Sequence, residues 1–467
     1  MAASTASPLT PRYTPLLLVL GVVALLVVAT QVAGDHFRLY AAAIIVGFAI
    51  ASWTLGLLAE PLTTLLFFLL VILFGVATPE VAFSGFLSPA WWLLLGGSII
   101  AAAVETTGLG QYLANKLFGS RNLTYSQAVV AVALGAIVLT FLMPSAMSRT
   151  LLLLPIVRAF AEDLGLTSDR PGYSGLILTA AASTYLPSTA VLPANIPNTI
   201  LLGSADALYG VKMTYGPYLL LHFPVLGILK TVVLVWLVCW MFPEREPLVR
   251  RHSPDAVRPL SPEARRLALL LALSLVLFAT DSIHGISPAW ITLGAAILCI
   301  LPPWGMIAPK TVSEKSSLIT LLYIAGIISL GTVVAGAQLG EVVSAWILGQ
   351  FQIVPGETAT NVGILSIIGI ALSLLTTGTG LPAVFTPLAG EFATATGLPI
   401  VTVLMLEVIA FSTVLLPYIS PPIMVWLQFS GVTVRNASKL CLALGAVTIL
   451  ILFPIDYLWW QLLGYIP

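Results

Sequence analysis

The sequence predicts an all-α polytopic membrane protein with about eleven transmembrane helices plus two re-entrant helical hairpins, arranged as two inverted-topology repeats. Three observations support this fold class. Of the 467 residues, 59% are hydrophobic and only 8% are charged, whereas soluble domains carry about 25% charged residues. Apolar stretches long enough to cross a bilayer recur along the chain. A polar run at 244–266 divides the chain near its middle.

The first apolar stretch, 14–33, spans 20 residues and exceeds the signal-peptide core of about 7–15 residues. We therefore expect 1–38 to hold an N-terminal segment and a first transmembrane helix. The other predicted crossings are 39–59, 62–79, 91–112, 175–205, 217–242, 267–282, 288–306, 318–337, 400–430 and 440–463.

Two further apolar segments, 126–160 and 361–396, are interrupted by Pro, Gly, Ser or Thr. Each is too long for one span and too broken for a straight helix, which predicts a re-entrant hairpin. The proline-rich stretches inside 175–205 and 400–430 predict broken helices.

Three pairs of segments align at nearly one offset, which predicts two repeats. The repeats would span 39–243 and 267–467, joined by the linker 244–266. An odd number of crossings between the two hairpins would invert the second repeat. The aligned pairs are 93–110 with 323–340, Ser145–Pro155 with Thr377–Pro387, and 192–198 with 416–423, at offsets of 230, 232 and about 225 residues.

Basic residues predict the orientation, because cytoplasmic loops carry the excess of Lys and Arg. With the N-terminus in the cytoplasm and the C-terminus outside, the linker 244–266 and its six arginines are cytoplasmic. The outer loops then contain few basic residues besides Arg38 and Lys212. We expect a multi-pass protein of the cell (inner) membrane. The other basic residues placed on the cytoplasmic side are Lys116, Arg121, Arg170, Lys310, Lys315, Arg435 and Lys439.

Inverted repeats with discontinuous helices are typical of secondary transporters. A helix break in mid-membrane is tolerated only where it lines a cavity or a bound solute. Helix N-termini at such a break present free N–H groups and favour anions. The breaks at 186–197 and 417–422 are expected to close a pocket opposite the two hairpin tips.

Residues 88–119, "SPAWWLLLGGSIIAAAVETTGLGQYLANKLFG", and the order of segments resemble the divalent anion/sodium symporter family of the ion-transporter superfamily. The resemblance covers nearly the whole chain after about residue 40. It implies a carrier of small anions that forms a homodimer. In that family each hairpin tip carries Ser-Asn-Thr, ten residues before a proline, and each following broken helix carries Thr-Pro-Pro-Asn.

This chain departs from the family at both tips. The first has Ser145-Ala146-Met147 and the second has Thr377-Gly378-Thr379. The broken helices keep Ile196-Pro197-Asn198 and Pro421-Pro422-Ile423. Because the tip asparagines of the family serve both the sodium sites and the substrate carboxylates, their loss argues against the usual sodium coordination and the usual carboxylate recognition.

The candidate substrate-binding residues lie at the tips and breaks. A guanidinium at mid-membrane costs about 2.5–3.5 kcal/mol on insertion scales, so it normally faces a cavity or a partner. We expect Arg149 to stand in the pocket and to supply the positive charge that sodium would otherwise bring. The alternative is an arginine paired with a carboxylate, or one that snorkels to the cytoplasmic face. The full set is Ser145, Ala146, Met147, Ser148, Arg149, Asn198, Thr377, Gly378, Thr379, Ser420 and Pro422.

Three other charges fall in apolar segments. Glu407 is a coupling candidate, because a buried carboxyl group can exchange protons near neutral pH; alternatively it pairs with Arg149 or Lys230. Lys230 is expected to serve helix packing or the lipid interface, and Glu105 the scaffold. The hydroxyl residues at tips and breaks can equally serve helix packing alone.

The leading hypothesis is a secondary active transporter of a small anion, such as a di- or tricarboxylate or sulfate, that works by alternating access. Transport would be sodium-independent, by exchange or proton coupling. A sodium-coupled symporter with non-standard sites is one alternative. A cation/proton antiporter would need acidic residues at the tips, and a membrane enzyme would need a catalytic constellation; neither pattern occurs. A channel is less favoured, because two opposed hairpins indicate alternating access.

The expected partners are a small anionic solute, the lipid bilayer and a second copy of the chain. A net charge of zero gives no electrostatic signal for nucleic acid. The three cysteines and four histidines are scattered, with no metal-binding spacing. We therefore expect no metal site and no cofactor. Sodium stays an alternative, against which the missing tip asparagines argue.

Overall fold

A computed structural model describes residues 14–118, 123–245, 248, 259–315 and 318–466, and the regular structure in these ranges is helical. Helices suit a membrane because they satisfy every backbone hydrogen bond within the segment. The α-helices before the linker are α1 Thr14–Val32, α2 Phe37–Leu55, α3 Glu60–Leu73, α4 Pro79–Ala82, α5 Ser84–Leu87, α6 Pro89–Thr107, α7 Leu109–Phe118, α8 Tyr125–Leu142, α9 Ala146–Asp163, α10 Pro171–Tyr185, α11 Ile196–Tyr209, α12 Tyr215–His222 and α13 Lys230–Met241.

The second half is also built of helices. Its α-helices are α14 Pro262–Ala279, α15 Asp281–His284, α16 Pro288–Ile300, α17 Pro309–Lys315, α18 Leu318–Gly336, α19 Leu339–Leu348, α20 Thr358–Phe385, α21 Ala389–Thr396, α22 Ile400–Ser412, α23 Pro421–Ser430, α24 Val434–Val447 and α25 Phe453–Leu462.

Both halves contain the same succession of interrupted segment and broken helix. An interrupted apolar segment (α8 and α9, or α20 and α21) leads into a broken helix (α10 and α11, or α22 and α23). Each broken helix is followed by a helix pair joined by a π-helical segment, Phe223–Leu229 in the first half and Thr448–Leu452 in the second. The inverted orientation of the two repeats stays a prediction. Most of the linker, at 246–247 and 249–258, lies outside the described residues.

Eight helical segments of the described chain are long and apolar enough to cross a membrane. The all-helical membrane class is therefore confirmed, while the number of about eleven crossings and the re-entrant course of the hairpins stay predictions. Several other predicted crossings correspond to shorter or divided helices, such as α3 and α16. The eight segments are Pro15–Val32, Gly34–Leu55, Pro89–Thr107, Tyr125–Leu142, Tyr215–Met241, Leu318–Gly336, Thr358–Thr396 and Val434–Leu462.

Small residues let helices from the two halves approach closely, as is typical of membrane proteins. A Cβ added to Gly85 would lie 2.0 Å from the carbonyl oxygen of Ala325. The backbone N–H of Gly85 donates to Ser329 Oγ at 2.9 Å. A Cβ on Gly96 would lie 3.0 Å from the backbone of Thr292. These contacts join α5 to α18 and α6 to α16, so the two halves pack as one body.

The broken helices lie in the interior of the fold. Every residue of α10 from Gly172 to Tyr185 is buried, and α10 contacts α8, α9, α13 and α23. The breaks that the sequence predicts therefore lie deep inside the protein, next to the interrupted segments.

Candidate functional site

The first tip is a three-residue interruption between α8, which ends at Leu142, and α9, which begins at Ala146. Ser145 caps α9, because its Oγ accepts from the Ser148 backbone N–H at 3.2 Å and from Ser148 Oγ at 3.1 Å. Pro144 packs on Gly97, where a Cβ would meet the ring at 2.9 Å. The two predicted serines thus hold each other at a helix N-terminus. Ala146 is buried beside them, and Met147 is half-buried.

Arg149 is fully buried and joins this tip to the first broken helix. One terminal nitrogen donates to the carbonyl oxygen of Met143 at the tip. The other donates to the carbonyl oxygens of Thr184 at 3.0 Å and Ala194 at 3.1 Å. Thr184 lies at the end of α10, and Ala194 lies just before α11. The guanidinium therefore binds carbonyl oxygens that the helix breaks leave free.

These carbonyl oxygens satisfy donors of Arg149 but carry no full negative charge. Among the described residues no carboxylate lies within 4.0 Å of the guanidinium, and the buried Nε–H has no hydrogen-bond partner. Arg149 does not snorkel either, since no part of it reaches the surface. A buried charge normally requires a counter-charge. The geometry thus leaves a fixed positive charge at the junction of tip and break.

The second tip lies within α20, where Thr377 has φ +70° and ψ 166°. This backbone region is almost restricted to glycine, and a residue held there costs about 1–3 kcal/mol. Strain of this kind clusters at functional sites. The hydroxyl groups of Thr377 and Thr379 lie 3.1 Å apart. The strained residue interrupts the helix at the position that the sequence alignment assigns to the tip.

Tyr185 links the second tip to both broken helices. A Cβ added to Gly378 would lie 2.5 Å from the Tyr185 hydroxyl and 3.2 Å from the carbonyl oxygen of Ile419. The same hydroxyl donates to the carbonyl oxygen of Phe411 at 3.3 Å. Tyr185 is not among the residues predicted from the sequence, and its only signal is its place just before the proline-rich break.

Asn198 and Ser420 lie buried at the two breaks. The Asn198 Nδ2 group donates to the carbonyl oxygens of Ser188 at 3.1 Å and Val191 at 2.9 Å, which ties the first break together. Its Oδ1 atom and the Ser420 Oγ atom have no partner among the described residues. Pro422, also buried, lies in the first turn of α23.

Glu407 and Lys230, two of the other charges that the sequence places in apolar segments, have hydrogen-bond partners of their own. Both carboxylate oxygens of Glu407 accept from Thr386 Oγ1, at 2.9 and 3.0 Å. In the described structure Glu407 forms no ion pair with Arg149 or Lys230. Lys230 is buried and donates to the carbonyl oxygen of Ser412 at 2.6 Å. Glu105 is exposed.

The structure brings the predicted elements into direct contact. The first tip contacts the first break through Arg149, the two broken helices meet through Tyr185, and the second tip meets the second break at Gly378. A single cavity lined by Ser145, Asn198, Thr377 and Ser420 stays a prediction. Within the described ranges, no group of three or more His, Cys, Asp or Glu side chains is placed to hold a metal ion.

The chain matches one family model and several curated relatives. A family model described as the sodium:sulfate symporter transmembrane region matches residues 9–466. A membrane protein of Cupriavidus necator is 26% identical over 291 residues, which cover 61% of this chain and 56% of that protein. The citrate/succinate antiporter of Escherichia coli K12 is 25% identical over 240 residues, 47% of this chain and 48% of that one. The chain thus spans about half the length of these curated relatives.

A solved structure shares the fold. The crystal structure of the Alcanivorax borkumensis YdaH transporter, described as having an unusual topology, superposes with a TM-score of 0.57. The match covers 83% of this chain and 88% of that chain at 14% sequence identity.

Proposed function

Since the chain belongs to the sodium:sulfate symporter family, we propose that it is a secondary transporter that carries a small anion, such as a di- or tricarboxylate or sulfate, without sodium. The carrier works by alternating access. The two tips and the two breaks form the anion site between the repeats.

The observation that carries this proposal is the environment of Arg149. Its terminal nitrogens are fixed by backbone carbonyl oxygens, while its charge has no carboxylate partner in the described chain. An anion near the unpartnered Nε–H supplies the missing counter-charge. The capped N-terminus of α9, one turn earlier, adds the positive end of a helix dipole.

A resident guanidinium would also make sodium coupling unnecessary. Sodium enters and leaves with each transport cycle, whereas Arg149 stays in the protein. An empty site with an uncompensated positive charge resists crossing the bilayer. Return is easiest when a second anion occupies the site, so the proposed mode is exchange of one anion for another. The E. coli relative is named an antiporter of citrate and succinate, which favours carboxylates as the substrates here.

The second candidate is sodium-coupled symport of sulfate, which the description of the family favours. Sodium would then bind at positions other than the missing tip asparagines. Proton-coupled anion transport is a third form, with Glu407 as the proton carrier. We further propose that the chain forms a homodimer in the cell membrane, with the N-terminus in the cytoplasm and the C-terminus outside.

Purified protein in proteoliposomes tests the proposal. The vesicles are loaded with unlabelled succinate, citrate or sulfate, and uptake of each labelled anion is followed in sodium or choline buffer, with and without a pH gradient. Uptake that requires an internal anion and is equal in the two buffers supports exchange. Uptake into empty vesicles that requires sodium supports symport.

A further inference from the structure

A second buried cation, Lys230, lies at the other broken helix. It follows directly on the π-helical segment Phe223–Leu229, and π-helical turns are frequent at functional sites. Its Nζ atom donates to the carbonyl oxygen of Ser412 at 2.6 Å and lies 3.4 Å from Ser412 Oγ. The short distance to the carbonyl oxygen is typical of a charge-assisted hydrogen bond.

Ser412 is the last residue of α22, directly before the second break. The last carbonyl groups of a helix lack intrahelical donors and carry the negative end of the helix dipole. Two of them are bound here by side chains from the first repeat: Phe411 by the Tyr185 hydroxyl and Ser412 by the Lys230 ammonium. In transporters with broken helices, such free carbonyl groups are where a coupling cation binds.

Asp456 places a buried carboxyl group in the same part of the fold. It lies shortly after the π-helical segment Thr448–Leu452, the second-half counterpart of the segment before Lys230, and it is fully buried. The two π-helical segments contact each other, and in the described chain Asp456 and Lys230 form no ion pair within 4.0 Å. The indole of Trp460 lies beside it, but neither carboxylate oxygen has a well-formed hydrogen bond within the described chain.

A small cavity of about 20 Å³ adjoins the ammonium and is lined by Lys230, Ser412 and Thr448 together with apolar residues. This volume is enough for about one water molecule. The oxygen atoms beside the ammonium are the carbonyl and hydroxyl oxygens of Ser412. Thr448 also lines the cavity, whose wall is otherwise apolar.

We propose that the Lys230 ammonium is a resident cation that takes the place of a coupling cation at the carboxyl end of α22. Lys230 is thus a positioning residue that fixes the second break, as Arg149 does at the first. When the side chain is shortened, the vacated space beside the Ser412 oxygen atoms should bind a free monovalent cation. The role in transport rests on the proposed sodium-independent exchange, but cation binding is measured without transport.

The test is thermal unfolding of purified Lys230→Ala in detergent, with sodium, ammonium or choline chloride at equal ionic strength. A cation that binds only the folded protein raises its Tm. We expect sodium or ammonium to raise the Tm of Lys230→Ala saturably, by about 2 °C or more relative to choline. Choline is too large for the site. Wild type and Lys212→Ala, which removes an exposed lysine, should show no such difference.

An equal Tm of Lys230→Ala in all three salts overturns the proposal. If the variant yields folded protein only when purified in sodium or ammonium, the cation site is supported; if it yields none in any salt, the proposal fails. The double variant Lys230→Met with Asp456→Asn provides an independent check. Removing one partner of a buried charge pair is more damaging than removing both, so the double variant should recover the folded yield that Lys230→Met alone loses. Absence of that recovery also contradicts the proposal.

These outcomes are separable from the proposed function. A sodium requirement in wild-type transport would refute sodium-independent exchange and leave the Tm result intact. Cation-independent Tm values would refute the role of Lys230 even if wild-type exchange needs no sodium.

Discussion

The hydroxyl of Tyr185 lies so close to Gly378 that a Cβ at position 378 would be 2.5 Å from the hydroxyl oxygen. The contact joins the first broken helix to the second tip, between residues that no local sequence pattern connects. It also explains why position 378 carries no side chain, since the carbonyl oxygen of Ile419 blocks a second direction at 3.2 Å.

Gly378→Ala should therefore impair transport at least about tenfold, because the Ile419 backbone cannot move aside as a flexible side chain can. Adding Tyr185→Phe removes the nearest oxygen atom and should recover part of the loss. Gly363→Ala is the matched control, since position 363 of α20 has no atom within 4 Å of the added Cβ. Initial exchange rates and Tm values are the measurements. Wild-type rates in Gly378→Ala would show that the tip is not packed as described.

The planar fork of Arg149 should matter as well as its charge. Arg149→Lys keeps the charge but cannot reach the carbonyl oxygens of Met143, Thr184 and Ala194 together. We expect partial activity, at least about tenfold below wild type, with a higher KM for the anion. Arg158→Gln, which removes a guanidinium from the same helix, should leave the KM unchanged. A fully active Arg149→Lys would indicate that charge alone suffices.

A substitution at Glu407 tests whether transport is coupled to protons. Its carboxylate accepts from Thr386 and forms no described ion pair, so it is available to bind a proton. If it carries protons, Glu407→Gln should keep anion exchange but lose the response of uptake to a pH gradient. Thr386→Val removes the hydrogen-bond donor and serves as a comparison in which the carboxylate is kept. An unchanged pH response in Glu407→Gln would assign Glu407 a structural role.

The orientation predicts which cysteines react from outside. In a background without the native Cys239, Cys299 and Cys441, an impermeant maleimide should label Tyr465→Cys in intact cells and should not label His252→Cys. Labelling after permeabilisation confirms that both sites are accessible. The reverse pattern would overturn the cytoplasmic placement of the linker and the N-terminus.

The sequence could predict the breaks, because Pro, Gly and Ser interrupt apolar runs locally. The tip before Ala146 and the break after Tyr185 fall where those residues indicate. The partners of the buried charges could not be predicted. Two of the three carbonyl oxygens bound by Arg149 come from residues 35 and 45 positions away, and a free carbonyl has no sequence signature.

The partner of Lys230 likewise could not be predicted from the sequence. In sequence it is distant from every tip and break, which favoured a packing or lipid-facing lysine. The fold brings it to Ser412, 182 positions away, at the end of a broken helix. Tyr185 likewise reaches Phe411 across 226 positions. Contacts of this kind depend on how the two halves pack, and one sequence does not encode that packing in any local pattern.

The most direct test of the account is succinate exchange in proteoliposomes in sodium-free choline buffer, with wild type and Arg149→Gln measured side by side. Succinate-loaded vesicles with wild-type protein should take up labelled succinate at the rate seen in sodium, because the guanidinium supplies the positive charge. Arg149→Gln should lose uptake while it still reconstitutes with a Tm near that of wild type. Wild-type uptake that depends steeply on sodium, or full activity in Arg149→Gln, would contradict the role of Arg149 as the resident cation of the anion site.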